Sequence, residues 1–157
     1  MVRRPAGRQF IVTSKEKLGR LGEDLFVHLF GGTLSEDPYD QGKDLILNDR
    51  TIEIKTQNRH PTKDTLTIGS TQYLNNLLKC MVVDRLIFVE YDSTPDIRIW
   101  EVADRKSYVI YTIKSGLIMV GFPISKMNLL STYTDAHLAN QMRDLSSSSV
   151  FRKPDYL

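Results

Sequence analysis

Apolar residues recur at helical intervals at Leu18, Leu21, Leu25 and Leu29, behind a Thr13/Glu16 pair with capping-box spacing, until Gly31 and Gly32 interrupt the pattern. This spacing predicts a helix over 14–30. From residue 43 the period shortens to that of strands. Two β-prone runs, 44–47 and 51–56, flank Asn48-Asp49-Arg50, and the Asn-Asp pair suits the two central positions of a tight hairpin turn. Farther on, 71–81 reads as a helix and RLIFVEY at 85–91 as a buried strand. The segments 97–102 (IRIWEV) and 116–122 read as further strands, and 135–145 as a polar-capped helix. Helix, strands, helix, strands, helix is the order of an α/β (α+β) chain with a mixed β-sheet flanked by helices. No internal repeat is visible, and the one low-complexity run is the serine stretch at 146–149. The chain therefore parses as a basic N-terminal arm (1–13), a single domain (14–145) and a Ser-rich tail (146–157).

Composition narrows the classes. With 157 residues, 41% hydrophobic and 25% charged, and a net charge of +2, the chain has the size of one domain and lies far from the disordered corner of composition. A lone cysteine, Cys80, excludes an internal disulfide and a cysteine-based zinc site. His28, His60 and His137 are scattered, with no pair at i, i+4, which argues against a histidine metal site. No stretch approaches the roughly 20 apolar residues of a membrane helix, so an intracellular, cytoplasmic protein without membrane contact is the expectation. The near-neutral total hides an asymmetry. Residues 1–20 carry six cations (Arg3, Arg4, Arg8, Lys15, Lys17, Arg20) against Glu16, a local +5 that leaves −3 on 21–157. Such a basic patch suits a polyanion, and equally a solvated terminus.

The densest chemistry lies in YDQGKDLILNDRTIEIKTQ, residues 39–57. Side chains alternate along a strand, so Glu53 and Lys55 share one face while Ile52 and Ile54 share the other. With Asn48 and Asp49 as turn residues, cross-strand partners have numbers summing to 97, which sets Asp44 opposite Glu53 on the same face. Two carboxylates so close repel, and a divalent cation removes the conflict; Mg²⁺ takes hard oxygen ligands, commonly one or two carboxylates with waters and phosphate oxygens. Lys55 beside them complements a phosphate or an attacking water. An ordinary ion pair on an exposed edge strand is the competing reading of Glu53 and Lys55.

The spacing Asp44, eight residues, Glu53, one residue, Lys55 resembles the PD-(D/E)-x-K nuclease core of restriction enzymes, Holliday-junction resolvases, repair nucleases and some homing endonucleases. The resemblance covers about residues 14–91, leaving 92–145 for specificity and oligomerisation. Lys43 stands where the motif's proline would precede Asp44. The resemblance implies a restriction-endonuclease-like core and Mg²⁺-dependent (or Mn²⁺-dependent) hydrolysis of DNA phosphodiesters. It assigns catalytic roles to Glu23 (on the preceding helix, GRLGEDLFVHLF), Asp44, Glu53 and Lys55. The metal would be held by Asp44, Glu53, the Ile54 carbonyl and Glu23, with Lys55 orienting or helping to deprotonate the nucleophile.

The implied partner is double-stranded DNA rather than a small molecule. One centre cuts one strand, so a homodimer or higher homo-oligomer is expected. Arg3, Arg4, Arg8, Arg20 and Lys43 are phosphate candidates, joined by Gln57, Arg59 and Lys63 in a polar loop read at 56–63. The elements beyond Tyr91 favour site-specific cleavage of homing or restriction type. A Holliday-junction resolvase, an RNA-directed nuclease and an inactive DNA-binding module on the same fold are the alternatives. Trp100 reads as a core or interface anchor, Cys80 as a buried small hydrophobe, and Met119 and Met127 as packing.

Overall fold

A computed structural model describes residues 14–34, 45–59, 63–68 and 73–147, the side chains of 73–76 excepted. Helix α1, Ser14–Phe30, has the predicted limits: it buries Leu18, Leu25 and Phe26, and Gly31 and Gly32 leave it at φ +86° and +112°. Those values are open to glycine and strained for other residues, which is why the helix stops there. Strand β1 (Thr33–Leu34) precedes β2 (Leu45–Leu47) and β3 (Arg50–Asn58). The turn joining β2 to β3 holds Asn48 at φ 53° and Asp49 at φ 63°, both left-handed as a type I′ hairpin requires. The observed pairs Leu45↔Ile52, Ile46↔Thr51 and Leu47↔Arg50 have the register read from the sequence.

After β4 (Thr65–Ile68) and α2 (Tyr73–Val82), strand β5 (Arg85–Tyr91) returns parallel to β3. Strand β6 (Asp96–Val102) and strand β9 (Met127–Thr134) extend the sheet antiparallel, giving a mixed six-stranded order β1-β2-β3-β5-β6-β9. Strand β8 (Ile118–Pro123) lies between β4 and β7 (Val109–Thr112) in a separate three-stranded antiparallel sheet. Helix α3, Ala136–Ser146, starts at Asp135, whose carboxylate accepts from the Leu138 N–H at 3.0 Å. The fold is thus mixed α/β (α+β), with two sheets and three α-helices among the described residues, as the hydrophobic pattern predicts. No helix among the described residues is long and apolar enough to cross a membrane.

The large sheet is covered on both faces. Leu18, Leu25 and Phe26 of α1 and Met142 of α3 pack with Ile52, Ile54, Ile87 and Val89 on one side. Leu66, Ile68, Leu77, Cys80, Val120 and Phe122 pack with Leu86 and Phe88 on the other. This explains why 86–89 reads as an unbroken apolar run: a strand buried on both faces has no solvent side.

Several sequence expectations change in detail. The strand predicted to end at Thr56 continues to Asn58, because β5 pairs with it through Asn58↔Tyr91. The polar loop read at 56–63 therefore begins three residues late. The strand read at 116–122 is Ile118–Pro123, with Gly116 at φ +87° in the turn before it. Of the helix read at 71–81, residues 71 and 72 lie outside the described residues. Strands β1, β4, β7 and β9 had no counterpart in the sequence reading.

Helix α1 approaches β3 closely at one point. A Cβ placed on Gly22 would lie 1.9 Å from Thr56 Oγ1 and 3.0 Å from its Cβ, so only glycine permits this contact. Overpacking costs about 1–3 kcal/mol, against a gain of up to about 1 kcal/mol in helix propensity. Gly22→Ala is expected to lower the urea midpoint, with partial recovery in Gly22→Ala/Thr56→Ala; strictly additive effects would show that the contact does not set the spacing of α1 and β3.

Candidate active site

The parallel register places Glu53, Lys55 and Gln57 of β3 beside Leu86, Phe88 and Glu90 of β5. That face of the sheet lies under α2 and the three-stranded sheet. Lys55 Nζ stands 3.1 Å from Glu53 Oε2, and only 3% of the Glu53 side chain is exposed, against 25% for Lys55. The pair is therefore not on an exposed edge: β3 lies between β2 and β5, and the carboxylate is buried. Glu53 Oε1 is buried without a hydrogen-bond partner among the described residues. A carboxylate oxygen in that position carries a desolvation cost with no compensating bond from the described residues.

A second buried carboxylate on the same face makes the contrast. Glu90 is fully buried, yet both of its oxygens are satisfied: Oε2 by the Arg59 guanidinium and Oε1 by Trp100 Nε1–H at 2.8 Å. Arg59 also donates from Nη1 to the Lys63 carbonyl at 2.9 Å, tying the strand end to the segment that follows. Glu90 and Trp100 as a polar pair went unread in the sequence, although a lone Glu in the apolar run RLIFVEY signals a buried charge in need of a partner.

The other proposed residues fall in different places. Gln57 directs its amide at β4, Oε1 accepting from Thr67 N–H at 2.7 Å and Nε2 donating to the Thr67 carbonyl. Gln57 and Arg59, read as groups for base edges or phosphates, are thus engaged within the protein. Glu23 rises from the layer opposite Glu53, since α1 covers the face bearing Ile52, Ile54 and Thr56. Its carboxylate pairs with Arg20 at 3.6 Å. Ile54 is buried in β3 opposite Ile87 of β5. Asp44, Lys43, Arg3, Arg4 and Arg8 lie outside the described residues. The described pairing of β2 with β3 stops at Leu45↔Ile52, one residue short of Asp44 and Glu53.

Electrostatics tie the pair to α2. Burial pushes the Cys80 thiol up to about 11, with Lys55 working against the shift and Glu53 reinforcing it, so the thiol stays protonated at neutral pH. Among the described residues no group of three His, Cys, Asp or Glu side chains could hold a metal ion. The donor chemistry that is present, a buried carboxylate oxygen without a partner, fits one hard-cation ligand. No protein-family model matches the chain, and no curated protein matches it significantly.

Proposed function

We propose that this chain is a Mg²⁺-dependent DNA endonuclease that hydrolyses phosphodiester bonds, cutting duplex DNA at specific sites in the manner of homing or restriction enzymes. The observation that carries the reading is the Glu53–Lys55 pair: a buried carboxylate with an oxygen left unsatisfied among the described residues, and a partly exposed lysine side chain whose ammonium lies 3.1 Å from its other oxygen. A purely structural acid would resemble Glu90, with both oxygens engaged. The order α1, hairpin β2-β3, α2 and parallel strand β5 agrees with the resemblance drawn from Asp44, Glu53 and Lys55.

Glu53, Asp44 and the Ile54 carbonyl would hold Mg²⁺, or Mn²⁺ in its place; Glu23, on the other side of the sheet and paired with Arg20, falls outside that set. A bound divalent cation supplies charge neutralisation on the phosphate and a water acidic enough to attack it. Lys55, whose side chain is a quarter exposed, would bring its ammonium to a phosphate oxygen or the nucleophilic water. Arg3, Arg4, Arg8, Arg20, Lys43 and Lys63 remain the cations proposed to neutralise DNA phosphates. The strands and helix beyond Tyr91, which complete the large sheet and supply two of the three strands of the small one, are the elements from which target specificity would come.

The test is cleavage of a randomised linear duplex library, with the ends mapped, in Mg²⁺ and in chelator. Expected are Mg²⁺-dependent cuts at a defined sequence, with the two strand breaks related by two-fold symmetry. Cleavage confined to four-way junctions would replace the homing or restriction reading by junction resolution. Absence of any Mg²⁺-dependent cutting on linear duplex and junction alike would overturn the nuclease assignment.

A further inference from the structure

Exposed apolar side chains concentrate on one hairpin. Val109 and Ile110 in β7, Ile113 and Leu117 in the connecting turn and Ile118 at the start of β8 are all between 37% and 55% exposed. Successive residues of a strand point to opposite faces, and β7 is exposed at Val109, Ile110 and Thr112 with Tyr111 half-buried, so neither of its faces is fully covered. On its hydrogen-bonding sides β7 pairs with β8 and, among the described residues, with no other strand. Natural edge strands are blunted by lysine, proline or a bulge; the sequence VIYT has none of these. An apolar ribbon of this extent on a single chain marks an interaction surface.

Charge selects the occupant. From Tyr108 to Pro123 the only charged residue is Lys114, in the turn. A surface for DNA would be basic, and a surface for an oppositely charged protein would carry complementary charges of its own. A second copy of the same ribbon matches in apolar character and needs neither. Antiparallel pairing of two identical strands is two-fold symmetric by construction, so the contact closes after two copies and does not propagate. Such pairing about the middle of β7 sets the two Lys114 ammonium groups at opposite ends, roughly 20 Å apart along the strands. At that separation physiological salt screens their repulsion.

The geometry points to β7 as the edge through which two copies of this chain pair antiparallel, joining their three-stranded sheets into one six-stranded sheet with the apolar ribbon at its centre. The inference deepens the two-centre requirement of the nuclease reading by naming the surface that would meet it, and its test does not use cleavage.

The full chain, as wild type and as Ile110→Lys, Val109→Asp and Leu129→Lys, is weighed by light scattering over a range of concentrations. Circular dichroism confirms that each variant is folded. Leu129, half exposed on β9 at the edge of the other sheet, is the control. The wild type and Leu129→Lys are expected at twice the 18.0 kDa chain mass, or a higher even multiple, and the two β7 variants at a lower mass. In parallel, cysteines introduced singly at Val109, Ile110 and Tyr111 are oxidised; Cys80 is buried and does not compete. A residue near the two-fold axis should cross-link to itself far more readily than Leu129→Cys. A wild type that is monomeric throughout, or β7 variants as oligomeric as the wild type, would overturn the proposal. A dimer broken by β7 variants in a protein that never cleaves DNA leaves this inference standing and sinks the nuclease reading; a monomer that cleaves does the reverse.

Discussion

Glu53→Gln is expected to lower the rate of DNA cleavage by on the order of 10³-fold while leaving the protein at least as stable as the wild type. The first half follows from chemistry. A carboxylate that holds a catalytic cation contributes several kcal/mol of transition-state stabilisation, and each ~1.4 kcal/mol is a factor of ten in rate. The second half follows from burial. The Glu53 side chain is 3% exposed, and its Oε1 has no partner among the described residues, so the folded state carries a desolvation cost that a neutral amide lessens. Glutamine keeps an oxygen for Lys55 Nζ, and Lys55, a quarter exposed, keeps contact with water. Most substitutions of buried polar groups in structural networks lose stability; those at functional sites often gain it, because such sites are built against the stability of the fold. Single-turnover cleavage and urea denaturation on the same preparation measure both halves. Cleavage within tenfold of wild type would remove Glu53 from the site, and a loss of several kcal/mol with activity intact would reassign the pair to structure.

The helix and the hairpin were legible in the sequence because their signals are local. Leu18 to Leu29 give the period of α1, Gly31 and Gly32 its end, and Asn48-Asp49 the turn that sets the register of β2 on β3. Alternation along 52–55 likewise brings Glu53 and Lys55 to one face. What alternation does not reveal is what covers that face. The covering layer is assembled from Leu66, Ile68, Leu77, Cys80, Val120 and Phe122, residues far apart in the chain that share no local signal with β3. A face that reads as open to phosphate therefore proves to be under a second core at Glu53 and partly open only at Lys55.

The missed strands have related causes. Strand β9 is exposed at Asn128, Leu129, Thr132 and Thr134, and the adjacent exposed pair at 128–129 breaks the alternation of a half-buried strand. Strand β7 exposes apolar side chains on both faces, which defeats the assumption that apolar means inward. Side-chain partners at long range were invisible in the same way. Gln57 and Arg59 have the chemistry of nucleic-acid contacts, but their partners Thr67 and Glu90 lie 10 and 31 residues away.

Arg59 offers a decision between those two uses. If its role is structural, Arg59→Ala leaves the fully buried Glu90 carboxylate with Trp100 Nε1–H alone, and removing one partner of a buried pair costs about 3–5 kcal/mol. The expected result is a large fall in the urea midpoint, accompanied by loss of the anchor that Arg59 Nη1 gives the Lys63 carbonyl. Glu90→Gln in the same chain removes the stranded charge while keeping an acceptor for Trp100, so Arg59→Ala/Glu90→Gln should recover much of the loss. A phosphate-binding role predicts the opposite pattern. Arg59→Ala would then unfold at the wild-type midpoint, DNA affinity would fall with a shallower salt dependence, and Glu90→Gln would restore nothing. Because Glu90 has no route to solvent, the guanidinium cannot leave it for a phosphate without stranding that charge, and the structural outcome is the one expected.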